Sequence, residues 1–237
     1  MEAIILAGGF GTRLKSLVAD VPKPMAAVAG LPFLDHLLRH MAGQGIRHVV
    51  ISVGYKAENL TEYFKSCFGG IDVSYSHENE PLGTGGAIRR AFGLIRESNC
   101  AVLNGDSFFD VSLSDLAAVH SRMKADATLS LKWVRDASRY GCVKCEEDRI
   151  IAFDEKRANT APGFINGGVY FCERNLFESV DLPQRFSFEY DFLRRFCREK
   201  RICGFASDGF FIDIGVPEDY LRAQELPYFL NSAQIKP

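Results

Sequence analysis

The run Leu6-Ala7-Gly8-Gly9-Phe10-Gly11-Thr12-Arg13-Leu14 follows directly on an apolar stretch at the N-terminus. Glycines at 8, 9 and 11 let backbone N–H groups close on a phosphate chain, and Arg13 adds a planar cation that stays charged. With Leu6, Ala7 and Thr12 they form a loop suited to a nucleoside triphosphate. Two common phosphate loops are excluded. A P-loop needs Gly-Lys, a pair that occurs nowhere in the chain. A dinucleotide loop needs a third glycine where Leu14 stands, and Pro22, Pro24 and Pro32 interrupt any long helix beyond it.

Four further groups are placed for phosphate chemistry. Lys23 lies between Pro22 and Pro24, which stiffen it and push it toward an extended conformation, so that it can act as a fixed point charge on a phosphate. Asp106 closes Asn104-Gly105-Asp106 after an apolar strand; a carboxylate there faces the ligand crevice of an open α/β sheet, although the same tripeptide also makes plain turns. Asp213 interrupts the apolar run 210–214, where an unpaired carboxylate would cost several kcal/mol. Asp106 and Asp213 together could hold one Mg²⁺, with phosphate oxygens and water filling the remaining positions; the alternative for Asp213 is an edge position or a helix cap. In Pro81-Leu82-Gly83-Thr84-Gly85-Gly86 small residues let a base or sugar approach the backbone, and Thr84 is expected to cap the helix that follows. Glu78 and Glu80 lie just upstream. A carboxylate accepting two hydrogen bonds suits guanine, and Glu80 joins Pro81 to Thr84 in the nucleotide-side set. On the acceptor side, Glu155 offers an acceptor for sugar hydroxyls and Lys156 a cation for a phosphate, with a strand-end ion pair as the alternative. Gly141 and Asn166-Gly167-Gly168 read either as pocket lining or as bulges.

These residues need a scaffold. Apolar runs at 3–6, 48–53, 72–76 and 100–103 alternate with helical patterns at 33–42, 57–67 and 84–95, which predicts a parallel sheet covered by helices on both faces. Beyond Asp106 the order changes. A helix is expected at 113–124, strands at 127–134, 141–144, 150–153, 167–172, 203–206 and 210–214, and a helix at 188–198 capped by Ser187; Pro217 opens a last helix. The prediction is one α/β, Rossmann-like domain spanning 1–237, with a mostly parallel mixed sheet. Its nucleotide half covers about 1–110, its acceptor half about 111–226, and a short tail follows.

The chain's 237 residues, 47% hydrophobic, support a sizeable core, and a net charge of −2 gives no basic surface for nucleic acid. No segment is long and apolar enough to cross a bilayer and Met1-Glu2 opens no signal peptide, so a cytoplasmic protein without nucleic-acid or membrane partners is expected. The seven cysteines, Cys142 and Cys145 included, read as small buried hydrophobes.

In order and spacing these elements resemble the sugar-1-phosphate nucleotidyltransferases. Leu6–Leu14, Pro22–Pro24, Pro81–Gly86, Gly105-Asp106, Glu155-Lys156, Asn166–Gly168 and Asp213-Ile214-Gly215 match the family pattern over nearly the whole chain. Within the family the sequence is most similar to the D-glycero-α-D-manno-heptose 1-phosphate guanylyltransferases: Ser16 replaces the usual proline, as in that group. Thymidylyltransferases usually carry Gly-Leu-Ala-Gln where this chain has Gly83-Thr84-Gly85-Gly86.

The resemblance implies guanylyl transfer from GTP to a heptose 1-phosphate, with Mg²⁺ as cofactor. It also implies roles. Gly8, Gly9, Gly11 and Thr12 would cradle the triphosphate, and Arg13 would meet the leaving pyrophosphate. Lys23 would touch the α-phosphate and Lys156 the acceptor phosphate, while Asp106 and Asp213 hold the metal. Asn104, Gly105, Gly141, Glu155, Asn166 and Gly168 would line the sugar side. Another sugar 1-phosphate, UTP in place of GTP, or a silent sugar-nucleotide sensor are the competing readings, and a homo-oligomer stays open.

Overall fold

Strand β1 (Glu2–Leu6) is buried on both sides, with Ala3 and Ile5 in one apolar core and Ile4 in the other. Such a strand can only be central, and the rest of the fold is arranged around it. The computed structural model describes residues 1–9, 18, 21–140, 142–153 and 161–233, with the side chains of 232 and 233 excepted. After β1 come a 3-10 turn at Lys23–Met25, a small hairpin of β2 (Ala27–Val28) and β3 (Leu31–Pro32), and α1 (Phe33–Gly43). Then follow β4 (His48–Val53), α2 (Ala57–Phe64), β5 (Cys67–Phe68), β6 (Ile71–His77), α3 (Gly83–Ala91), β7 (Asn99–Asn104), β8 (Ser107–Phe109) and α4 (Leu113–Met123). The second part contains β9 (Ala127–Val134), β10 (Val143–Glu146), β11 (Arg149–Phe153) and β12 (Gly163–Glu173). A π-helix at Phe188–Leu193 runs into α5 (Arg194–Phe196), followed by β13 (Ile202–Ala206), β14 (Phe211–Asp213), α6 (Pro217–Ala223) and α7 (Pro227–Ala233).

Among the described residues one ten-stranded sheet runs β10-β11-β13-β9-β12-β7-β1-β4-β6-β5. The expected mixed sheet is present, but it is not mostly parallel, because the second part of the chain enters it largely by antiparallel pairing. Parallel pairing holds β7, β1, β4 and β6 together and also joins β13 to β9, whereas β12 lies antiparallel to both β7 and β9. Helices cover both faces. Leu34, Leu37, Leu38 and Met41 of α1, Leu60 and Phe64 of α2, and Phe229 of α7 pack into one core; Ile88 and Ala91 of α3, with Phe188 and Phe192, pack into the other. The chain passes from β1 outward to β4 and β6, then returns to β7 on the opposite side of β1. A crevice therefore opens at the C-terminal ends of β1 and β7, where such a reversal places it.

Several expectations are corrected. The helix expected at 57–67 stops at Phe64, because residues 67–68 pair with β6 instead. The expected 84–95 helix tightens into a 3-10 turn at Phe92–Leu94, and the expected 188–198 helix opens as a π-helix. Ser187 does cap it, accepting from the Tyr190 N–H at 3.2 Å, and Pro217 does open α6, but this is not the last helix: α7 follows and buries Phe229. Lys23 is not extended. The N–H that Pro24 lacks would find no partner in a first helical turn, so the proline is tolerated inside the 3-10 turn and Pro22 takes the extended geometry (ψ 146°).

His36 and His120 are buried in this framework, and His40 is partly buried between α1 and α7. His36 bonds the Val28 carbonyl oxygen at 2.9 Å. His40 shares a hydrogen bond with the Tyr228 hydroxyl at 3.0 Å, which pins α7 to α1, and His120 bonds Thr128 and Glu173, each at 3.1 Å. Burial pulls all three below the ordinary value of 6.5, despite the opposing pull of Asp35, Asp110 and Glu173 respectively. The unfolded chain therefore binds more protons than the native one just below that value, and stability falls as pH drops. We expect the urea midpoint to decline from pH 7 to pH 5, and a His40→Gln variant to lose part of that slope; an unchanged slope would show that His40 titrates normally.

Candidate functional site

A cleft of about 390 Å³ occupies the crevice at the C-terminal ends of β1 and β7. Leu6, Ala7, Gly8 and Gly9 form one wall, and Asn104, Gly105 and Asp106 another. The two strands stay in register to their ends, Leu6 opposite Asn104, and the Gly105 N–H then donates to the Leu6 carbonyl oxygen at 2.9 Å. A Cβ at Gly105 would lie 2.5 Å from that oxygen, so only glycine permits the approach. Lys23, Pro24, Glu78, Pro81, Gly83, Thr84 and Ala87 complete the lining.

Lys23 is buried, and its Nζ donates to Asp106 Oδ2 at 2.6 Å. Asp213 arrives by a different route. β8 and β14 form an antiparallel pair that sets Asp213 opposite Ser107, and the Ile214 N–H donates to the Asp106 carbonyl oxygen at 3.0 Å. The two aspartates, more than a hundred positions apart in sequence, thus share one end of a two-stranded ladder. Asp213 Oδ1 accepts the Gly215 N–H at 2.6 Å, and a Cβ at Gly215 would collide with Lys23 Nζ. The ammonium and the second carboxylate therefore flank the same glycine. Around them, burial and the Asp213 charge hold the Tyr140 phenol above its usual range.

The wall at 78–87 differs from expectation. Glu80 is exposed and lies outside the lining, while Glu78 is part of it. Glu78 Oε1 accepts from the Ser52 hydroxyl at 3.0 Å and Oε2 from the Leu82 N–H at 2.9 Å. It comes so close to the loop that a Cβ on Gly8 would sit 2.5 Å from Oε1. The signal was in the sequence: Glu78 directly follows β6 as Asp106 follows the last pairs of β7, whereas Glu80 is two residues farther on. Leu82 points into the protein. Thr84 does not cap α3; Leu82 is the N-cap residue and no side chain caps it. The glycines of this segment face protein as well. A Cβ on Gly83 would lie 2.5 Å from the Phe186 carbonyl oxygen, and one on Gly85 would strike the Phe186 ring.

Asn166 and Gly168 form a β-bulge in β12 behind the Asn104–Ser107 turn, not a wall of the cleft. Asn166 donates to the Tyr170 hydroxyl at 2.8 Å and accepts the Gly168 N–H at 3.0 Å. A contact to a sugar would have to come from its remaining N–H or the second lone pair of its Oδ1. Gly11, Thr12, Arg13, Gly141, Glu155 and Lys156 lie outside the described residues.

Residues 2–227 match the family model described as nucleotidyl transferase. The chain belongs to that family. It is 47% identical over 231 residues, 97% of its length, to all of the D-glycero-alpha-D-manno-heptose 1-phosphate guanylyltransferase of Aneurinibacillus thermoaerophilus. It is 45% identical to the protein of that name from Campylobacter jejuni, across 93% of this chain and 97% of the relative. The crystal structure of HddC from Yersinia pseudotuberculosis complexed with GMP-PN superposes with a TM-score of 0.83 at 37% identity, covering 94% of this chain and 98% of that one. The resemblance drawn from the motifs is thereby shown, and the cleft belongs to a nucleotidyl-transferring enzyme.

Gly215 is the tightest point of the cation–carboxylate cluster. A Gly215→Ala variant should displace Lys23 from Asp106 and lower the rate of pyrophosphate release by about tenfold or more, since small misplacements of positioning groups cost that much. Turnover within twofold of the parent protein would show that the close approach is dispensable.

Proposed function

We propose that the chain transfers a guanylyl group from GTP to D-glycero-α-D-manno-heptose 1-phosphate, giving GDP-heptose and pyrophosphate. The observation that carries the reading is the cleft at the strand reversal, in which the buried Lys23 ammonium meets the Asp106 carboxylate beside the Gly8-Gly9 turn, with Asp213 next to that ammonium across Gly215. The relatives named above support the choice of nucleotide and sugar. In this reading the nucleotide occupies the side built by residues of about 1–110 and the sugar phosphate the side built by about 111–226. The use of a nucleoside triphosphate places the reaction in the cytoplasm, and among the described residues no helix is long and apolar enough to cross a membrane.

A phosphate oxygen of the acceptor attacks the α-phosphorus in line and pyrophosphate departs opposite to it. A sugar phosphate is already anionic near neutral pH, because its second ionisation lies near pH 6, so no general base is needed. What the protein must supply is position and charge. Backbone N–H groups of Gly8, Gly9 and Gly11, with Thr12, would hold the triphosphate, and Arg13 would meet the leaving pyrophosphate. Lys23, held by Asp106, lies against the α-phosphate and lessens repulsion between the two anions. Lys156 would serve the acceptor phosphate, and Glu155, Gly141 and Asn166 the sugar hydroxyls.

Mg²⁺ fits the donor set. Asp106 and Asp213 would offer hard oxygens on either side of the Lys23 ammonium, Asp106 by direct contact and Asp213 across Gly215, and no cluster of three or more ligating side chains occurs among the described residues. A cation held here would take its other ligands from phosphate and water. When bound, such an ion neutralises charge on the triphosphate.

Lys23→Ala should lower turnover by about 10²–10³, the scale of one preorganised charge at a transferring group; a loss under threefold would refute its role. A panel of four nucleoside triphosphates against heptose, mannose, glucose and N-acetylmuramate 1-phosphates, read as pyrophosphate release, checks the substrates. GTP should exceed UTP with the heptose acceptor, and equal rates would overturn the guanylyl assignment.

A further inference from the structure

Thr84 stands on the cleft wall, yet its hydroxyl is engaged inside the protein. It donates to Glu189 Oε2 at 2.7 Å and accepts the Phe188 N–H at 2.8 Å. Glu189 is 105 positions away, in the first turn of the π-helix. The same Oε2 accepts from the Ser187 hydroxyl at 2.9 Å, and that hydroxyl caps the π-helix. One carboxylate oxygen thus joins the cleft wall to the π-helix that packs into the same core as α3.

The backbone nearby is interlocked. The Phe186 N–H donates to the Leu82 carbonyl oxygen at 2.9 Å, and the Gly85 N–H donates to the Phe186 carbonyl oxygen at 3.0 Å. Gly83, at a φ of +72°, has no room for a side chain against Phe186. The first turn of α3 has no side-chain cap of its own, so its shape depends on the 184–189 segment. Glu189 also lies near the fully buried Tyr170, which holds Asn166 behind the cleft.

We propose that Glu189 is a positioning residue for the nucleotide: through Thr84 it fixes the first turn of α3, so that the nucleotide meets a preformed wall. A wall already in its bound shape costs less ordering on binding, and the gain appears as affinity. The inference rests on the cleft being the nucleoside triphosphate site. Glu189 touches no substrate in this account and acts only through Thr84.

Calorimetric GTP affinity of the full chain tests it, alongside KM for both substrates. Loss of a hydrogen bond to a charged group should weaken GTP by about tenfold in Glu189→Ala and in Thr84→Val. The double variant should be no weaker than either single one, because both remove the same link. Glu189→Gln keeps an oxygen that can accept from both hydroxyls, and should restore affinity to within about twofold of the parent. KM for the sugar phosphate should stay within about twofold in all of them.

GTP binding within twofold of the parent in Glu189→Ala, additive losses in the double variant, or a Glu189→Gln protein as weak as Glu189→Ala would each overturn the proposal. A parallel rise in both KM values would do the same, since it would report general loosening. If Glu189→Ala does not fold, Thr84→Val decides alone, and unchanged affinity there rejects the link. A parent protein that prefers another triphosphate defeats the guanylyl reading but not this one, which the same variants then test with that nucleotide.

Discussion

The ion pair between Lys23 and Asp106 holds the site together. Lys23 has 8% of its side chain exposed and Asp106 38%. An ammonium so placed needs its partner: breaking a buried pair by removing one member costs about 3–5 kcal/mol, and less where the partner still reaches water. Three separate pieces of chain must agree for the pair to form. The 3-10 turn of residues 23–25 presents the ammonium, the end of β7 presents the carboxylate, and the β8–β14 ladder brings Asp213 and Gly215 against both. A protein with the same residues and a different strand order would scatter them.

Glycine at the cleft is a matter of packing as much as of ligand access. Gly105 admits the Leu6 carbonyl, Gly215 admits the Lys23 ammonium, and Gly8 admits the Glu78 carboxylate. Each lets a polar group of the protein come within hydrogen-bonding range of the site. The small residues at 83, 85 and 86 serve the other direction, receiving the segment around Phe186 on the side away from the cleft. The cleft is narrow and defined because its walls are themselves braced from behind.

Much of the fold was legible. The strands around β1 are uninterrupted apolar runs because both their faces are covered, and the helices between them carry one apolar stripe each. What escaped were elements of two or three residues, β2, β3, β5 and β8, whose pairing depends on distant partners and not on local pattern, and the helix α7 in the stretch expected to be a tail. The π-helix at 188 escaped as well, since its residues carry ordinary helical composition.

For the site, residue types and their order already named Lys23, Asp106, Asp213 and the glycine turn, because phosphate chemistry needs charge and close backbone and few residue types supply them. Identity alone could not tell Glu78 from Glu80, or say whether Thr84 and Asn166 face substrate or protein. Those choices turn on which way a side chain points and what already occupies its hydrogen bonds, and both follow from contacts between residues far apart in the chain. Sequence therefore determined the chemistry available, and tertiary packing decided which groups remain open to a ligand.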